Sequence, residues 1–297
     1  MKTIVTHNGR FHADDVFSVV VLTTVFGGEE ISVVRSRDDE IISKADIVVD
    51  VGLIYDPVKK RFDHHQEEGA GKRDNGIPFA SFGLVWKEYG LEICGNQEIA
   101  DRIDRILVSP IDAGDNGMEI EESKIENLSS FSISEIVGLF VPTWKETMVH
   151  EDKAFTKAVA WAKEVLNRII KKETDRQSSR DLVERAYGEA DDKRIVVIND
   201  SYPWKEWILN FKEPLFVVIP DSTNGNWMAR AVPVSNNSFE NKVSFPDGWA
   251  GKSDAELAYV SGIKDAVFCH KNLFLAIAKT KESAIKMAEI AVAENSQ

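Results

Sequence analysis

The sequence predicts an α/β protein in two parts: an N-terminal domain with a mostly parallel sheet flanked by helices, and a smaller C-terminal α/β domain. Three observations carry this expectation. Apolar runs such as Ile47-Val48-Val49 do not alternate with polar residues, as strands buried on both faces require. Helical periodicities follow those runs, and 297 residues are too many for one small core. The expected domains are 1–185, including a helical connector over 153–185, and 190–297.

Taken in order, Thr3–Val5 reads as the first strand, broken at once by His7-Asn8-Gly9. Asp14–Phe26 is a helix rich in apolar residues, stopped by Gly27-Gly28. Ile31–Val34 and Asp46–Val51 are further strands, and Ala80–Tyr89 and Glu98–Val108 further helices. Lys153–Lys172 is the clearest helix: Phe155, Ala158, Val159, Ala162, Val165, Leu166, Ile169 and Ile170 form one apolar stripe. The polar stretch Lys171–Gly188 reads as a solvated helix face or connector. Arg194–Ile198, Leu215–Ile219, Trp227–Val232, Asp265–Phe268 and Leu273–Ala278 give the second set of strands, and Lys281–Ala293 closes the chain as an amphipathic helix.

Composition narrows the function. Apolar residues make up 43% and charged residues 29%, which fits a packed globular protein. The net charge of −13 repels polyanions at long range and argues against non-specific binding to long duplex. Cys94 and Cys269 stand far apart, so a disulfide framework is excluded and a reducing compartment is expected. Histidine and acid interrupt the N-terminus before any signal-peptide core, and no apolar run approaches the roughly 20 residues of a membrane span. The expectation is a cytoplasmic, non-membrane protein. A homodimer is compatible with the sequence, which singles out no apolar face for one.

Four of the six histidines fall in the first 65 residues, each beside acids or just after a strand. His7, His12 and Asp14 follow the first strand, Asp50 ends the third, and Asp63-His64-His65 comes soon after. In an open parallel sheet the carboxyl ends of the strands line one crevice, so these groups can converge. A metal pair needs several anionic oxygens and imidazoles and a bridging carboxylate, for which Asp50 on a rigid strand end is the natural choice. Imidazole ligands favour manganese first, with cobalt or zinc as alternatives, over magnesium, which prefers an all-oxygen shell. A lone histidine at a strand end is usually structural, but this many acids and imidazoles are expensive to bury without a metal.

These residues resemble the DHH phosphoesterase superfamily, whose name matches Asp63-His64-His65, and in particular its melanocyte-proliferating-gene branch of metal-dependent hydrolases. The segments THNGRFHADD, VVDVG, RFDHHQ, IDAGDNG, SFENKVSFPDGWAG and FCHKNLFLAIAKTKESAIKMA carry the resemblance in that order, from residue 3 to about residue 288. The resemblance implies a DHH-like first domain in which His7, His12 and Asp50 hold one divalent ion and Asp14, Asp50, His64 and Asp112 the other. Asp115 competes with Asp112 for the last position. His65 would face the substrate phosphate, and Asp63 would orient the histidines. Asp15 is read as the cap of the helix behind it, or as an acid supporting the ligands.

The second domain is implied to bind substrate and close over it. Relatives carry a glycine-rich cradle there, whereas this chain has Cys269-His270-Lys271-Asn272, with no glycine pair. His270, Lys271 and Arg230 are therefore the candidate phosphate contacts. Trp204, Trp207, Trp227 and Trp249 offer either base stacking or core packing. Substrate would enter between the domains, with hinge motion about Lys171–Gly188. The function expected is an exonuclease of 3′–5′ type acting on short or single-stranded RNA or DNA, although polarity itself is not readable from residues. The alternatives are hydrolysis of pyrophosphate or small nucleotides, and a metal-binding regulatory protein without catalysis.

Overall fold

A computed structural model describes residues 1–120, 124–146 and 150–295. The chain is α/β and divides into two compact units, Met1–Thr174 and Asp175–Gln297.

The first unit is built on a five-stranded sheet. β1 (Lys2–Thr6) pairs in parallel with β2 (Ile31–Arg35) on one side and β3 (Ile47–Val49) on the other. β3 pairs in parallel with β5 (Arg61–Phe62), which carries β4 (Tyr55–Asp56) antiparallel at the edge. The order is therefore β2-β1-β3-β5-β4. The chain leaves β1 for one neighbour and returns to the other, which opens a crevice beyond the carboxyl ends of β1 and β3.

α1 (Ala13–Val25) is buried continuously from Ala13 to Leu22, with no solvated face over that stretch. It packs on α3 (Ser81–Cys94) through contacts such as Phe17 on Phe82, with ring centroids 5.4 Å apart. The short α2 (Asp39–Lys44) has no buried residue and is held by its Asp38 cap, which accepts from the Glu40 and Ile41 amides. The expected helix over Glu98–Val108 is subdivided. α4 (Gln97–Ile103) runs into a π-helical turn at Asp104–Val108 and then into α5 (Ser109–Asp115). Pro110 has no amide hydrogen to give, and the Ser109 amide reaches back five residues to the Asp104 carbonyl. α6 (Ile133–Gly138) opens on a capping box from Ser132 and Glu135. α7 (Glu151–Glu189) contains both the expected apolar-striped helix and the polar Lys171–Gly188 stretch, which is helical throughout.

The second unit has its own sheet, ordered β6-β7-β8-β10-β9. β6 (Ile195–Val197) is parallel to β7 (Phe216–Pro220), and α8 (Lys205–Ile208) lies between them in sequence. β8 (Trp227–Ala231), β10 (Leu275–Ala278) and β9 (Ala266–Cys269) are antiparallel to their neighbours. α9 (Asp254–Ser261) precedes β9, and α10 (Lys281–Glu294) packs Ala284, Met287, Ala288 and Ala291 into the core of this unit. Trp204, Trp207 and Trp249 are buried here, while Trp227 is half-buried, with the Lys281 ammonium 5.5 Å from its ring. Among the described residues, no helix is long and apolar enough to cross a membrane.

Candidate metal centre

The carboxyl ends of three strands deliver the central residues. His7 follows β1, Asp50 follows β3, and Asp63 with its two histidines follows β5. Asp50 turns out of its strand in the left-handed region, at φ 56°, which points its carboxylate into the crevice. Asparagine and aspartate tolerate that conformation better than other L-residues with a side chain. The strand bond from the Asp50 amide to the Phe62 carbonyl, 3.0 Å, anchors it.

The side chain of Asp50 is fully buried and meets four imidazoles. Its Oδ2 lies 3.3 Å from His7 Nε2 and 3.5 Å from His12 Nε2. Its Oδ1 lies 3.7 Å from His64 Nε2 and 3.6 Å from His65 Nδ1, and accepts from the Ser81 hydroxyl at 3.3 Å. Asp115, at the end of α5, places Oδ1 3.1 Å from His12 Nδ1 and Oδ2 3.1 Å from His64 Nε2. Asp112 does not face the histidines. Its Oδ2 accepts from Arg73 at 2.6 Å and its Oδ1 from the Gly83 amide at 3.0 Å. Of the two acids the sequence left in competition, the structure brings Asp115 to the imidazoles and gives Asp112 to Arg73.

Helix termini explain the placement of the other acids. α3 begins at Ala80, which has no side chain to cap it. Its first amides are taken by distant carboxylates instead: Asp14 accepts from Ser81 at 3.1 Å and Phe82 at 2.6 Å, and Asp112 accepts from Gly83. Asp15 uses Oδ1 to accept from the His12 amide at 2.9 Å, closing the start of α1. Asp63 accepts from the amides of Leu53, His64 and His65 and from His65 Nδ1 at 2.7 Å. A residue that sequence reasoning missed is Arg73. It forks onto Asp104 at 2.7 and 3.0 Å while also holding Asp112, and the Gly-Lys-Arg-Asp-Asn loop carries no periodic signal that would mark it.

Protonation follows from this crowding. Burial, then the charges of Asp50, Asp115 and Asp112, push Asp14 well above the carboxylate range. Burial pushes Asp15 up to about 6, against the pull of His12 and His7. Burial pushes Asp112 up to about 7 despite Arg73. His12 is lowered by burial but raised more by Asp115, Asp15 and Asp50, to about 9. The hydrogen bond to Asp63 holds His65 above its ordinary value, against burial. Burial raises Asp63, and the bonds from His65 and Leu53 outweigh it and keep the group ionised.

Several of these atoms lack partners. His7 Nε2, Asp15 Oδ2, Asp50 Oδ2 and His64 Nε2 are buried without a hydrogen bond. Buried polar atoms are normally satisfied, so a cluster of orphans aimed at one another fits a set of metal donors. Three groups have donor atoms within 4.8 Å of one another: His7, His12 and Asp15; Asp50, His64 and His65; and Asp14, His64 and Asp115.

The same chain matches the MYG1_exonuc profile, described as an uncharacterised protein family (UPF0160), over residues 3–292. The chain belongs to the MYG1 family. It is 32% identical to the MYG1 protein of Dictyostelium discoideum over 96% of this chain and 95% of that one. It is 32% identical to a MYG1 protein of Chlamydia pneumoniae, covering 95% and 93%. It is 29% identical to the MYG1 exonuclease of Homo sapiens, covering 98% and 86%. A structure of exonuclease RecJ bound to manganese aligns with 14% identity and a TM-score of 0.31, over 100% of this chain and 90% of that one. The MYG1 match spans both units, as the ordered segments of the sequence led one to expect.

The candidate phosphate contacts lie in the second unit. Arg230 on β8 pairs with Leu275 on β10, whose carbonyl accepts from the His270 amide at 2.9 Å, so the three form one row across the sheet. Burial lowers the Arg230 guanidinium, which lies 6.0 Å from the Trp204 ring centre. His270 Nδ1 accepts from the Asn272 amide at 3.0 Å, and Lys271 is exposed.

Proposed function

We propose that this MYG1-family chain is a metal-dependent phosphodiester hydrolase, an exonuclease that shortens single-stranded or short RNA or DNA. One observation carries the reading: Asp50 Oδ2 is buried without a partner, and three more buried, unpartnered donor atoms, from two other strand ends and one helix start, gather around it. The names of relatives as exonucleases support the reaction class.

In this reading His7, His12 and Asp50 hold one divalent ion, and Asp14, Asp50, His64 and Asp115 the other. Manganese is the first choice on the mixed nitrogen and oxygen donor set, with cobalt, zinc or magnesium as alternatives. A bound pair supplies Lewis acidity at the phosphoryl oxygens and brings the pKa of water towards neutrality. The chain's residues do the rest. Asp50 keeps His7, His12, His64 and His65 facing one point. Asp63 accepts from His65 Nδ1 and so leaves Nε2 to donate to a phosphoryl oxygen of the substrate. The raised protonation of His65 keeps that donor charged further into the neutral range than a free imidazole. Arg230, His270 and Lys271 are the proposed contacts for phosphates away from the cut, and Arg230 offers the planar fork suited to them.

The test is hydrolysis of a fluorescent RNA oligonucleotide and of pyrophosphate, each with Mn²⁺ and with EDTA. Stepwise shortening of RNA that needs Mn²⁺ and disappears in Asp50→Asn is the expected result. Phosphate release from pyrophosphate alone would replace the nucleic-acid substrate with a small one. No metal-dependent hydrolysis of either would defeat the enzyme reading.

A further inference from the structure

Asp15 reads from sequence as a helix cap, and one of its oxygens does that work: Oδ1 accepts from the His12 amide. The other oxygen is unexplained. Asp15 Oδ2 is buried, has no hydrogen-bond partner, and lies 3.3 Å from His7 Nε2, which has none either.

The ordinary account is that Asp15 orients His7 through a hydrogen bond. A carboxylate in that role takes the ring nitrogen that the metal does not. In His7 that nitrogen is already used: Nδ1 lies 3.1 Å from the Asn8 carbonyl, and a carbonyl only accepts, so Nδ1 is the donor. In the neutral ring Nε2 then carries the lone pair. That lone pair faces two carboxylate oxygens, Asp15 Oδ2 and Asp50 Oδ2, each at 3.3 Å. With the ring neutral and both carboxylates ionised, three acceptors converge with no hydrogen among them, and they repel one another unless a cation lies between. The spacing also fits: donors about 2.1 Å from one ion and 90–110° apart are roughly 3.0–3.4 Å from each other.

We infer that Asp15 is a direct ligand of the divalent ion held by His7 and His12, making that position two imidazoles and two carboxylates, with Asp50 shared. The inference rests on the metal-centre reading above and adds a ligand to it. Asp15 thus has two jobs on its two oxygens: Oδ1 sets the start of α1, and Oδ2 reaches the ion. Because Oδ1 is pinned by the His12 amide, Oδ2 is aimed before any ion arrives.

Asp15→Asn separates the two jobs, since an amide oxygen can still accept from His12 while the anionic oxygen is gone. Mn²⁺ alone is the probe, titrated calorimetrically into the metal-free full chain. The expected result is two Mn²⁺ per wild-type chain, and in Asp15→Asn one retained and one weakened by more than about 100-fold, beyond the 10- to 100-fold of an orienting partner. Metal-free Asp15→Asn should melt no lower than wild type. A loss of about 100-fold or less overturns the inference. Asp15→Cys guards against a variant that fails for structural reasons: a ligand cysteine raises the preference of that position for Cd²⁺ over Mn²⁺ well above the wild-type ratio. An unchanged Cd²⁺-to-Mn²⁺ affinity ratio overturns the inference even if Asp15→Asn binds poorly. Wild-type protein that binds no Mn²⁺ sinks the metal-centre reading itself, an outcome distinct from either variant's.

Discussion

At the scale of single residues, Asp50 and His65 show how conformation and charge are set together. Asp50 sits at φ 56°, where a β-carbon ordinarily clashes with the backbone. Asn shares the tolerance of Asp for this region and Ala does not. Asp50→Asn should therefore fold as wild type yet lose at least about 100-fold in Mn²⁺-dependent cleavage, a bound taken from the loss of partners that touch no metal. Asp50→Ala should lose the same activity and about 1 kcal/mol more stability by urea denaturation. His65 makes a different prediction. Its raised pKa comes first from the bond to Asp63, so Asp63→Asn removes that support and the pKa falls. If protonated His65 assists the reaction, the alkaline limb of kcat against pH moves to lower pH in Asp63→Asn. An unmoved limb would leave His65 without that role.

At the scale of elements, the centre depends on one helix start. α3 leaves its first amides to Asp14 and Asp112, so the helix that packs on α1 also holds two of the buried acids. The approach is close at Gly83, where a β-carbon would stand 1.9 Å from Asp112 Oδ2 and 2.9 Å from Arg73. Gly83→Ala must push Asp112 or α5 away, at about 1–3 kcal/mol by the usual toll of overpacking, readable as a lowered urea midpoint. Since Asp115 rides on the same short helix, Mn²⁺ affinity should fall with it. Arg73 is the counterweight. Asp112 is fully buried and Arg73 is the cation that meets it, so Arg73→Met pushes the Asp112 pKa higher still and should lower the urea midpoint, more so as pH rises above about 7, where the carboxyl is otherwise ionised. The π-turn at Asp104–Val108 belongs to the same arrangement, because it sets where α5 begins and where Asp104 meets Arg73.

At the scale of the whole molecule, the buried acids make stability depend on pH and metal in opposite ways. In metal-free protein the folded-state values of Asp15 and Asp112 rise from 3.8 to about 6 and about 7, and that of His12 from 6.5 to about 9. Through these three groups the folded chain binds more protons than the unfolded one, while Asp115 and Asp63, held below their ordinary value, act in the opposite sense only at acid pH. The contribution of the three raised groups is full below their unfolded values and is lost as pH rises through the folded ones, so stability falls from about pH 5, where the lowered carboxylates are ionised in both states, to about pH 9. Bound metal needs Asp15 and His12 deprotonated, so saturating Mn²⁺ should oppose this slope over the neutral range. Thermal melts at several pH values, with EDTA and with Mn²⁺, check both signs. Parallel slopes in the two conditions would mean that the metal binds elsewhere.

The sequence by itself determined the α/β class, the strand cores and the kinds of donor at the centre. These are local matters: apolar runs without alternation mark buried strands, and histidines beside acids at strand ends mark chemistry, because both signals are contiguous in the chain. Short elements escaped it. β4 and β5 are two residues each, and α2 buries nothing, so neither carries a period to detect. What only the tertiary structure decided is which acid does what. Asp112 and Asp115 are three positions apart on one helix turn, and it is Arg73 and the Gly83 amide, brought from other elements, that occupy the first and leave the second to the histidines. Asp15 is the same case, one oxygen bound within its own helix start and the other facing a histidine from a different strand end. Partners far apart in the chain leave no pattern in it, since the distance between them is fixed by packing alone.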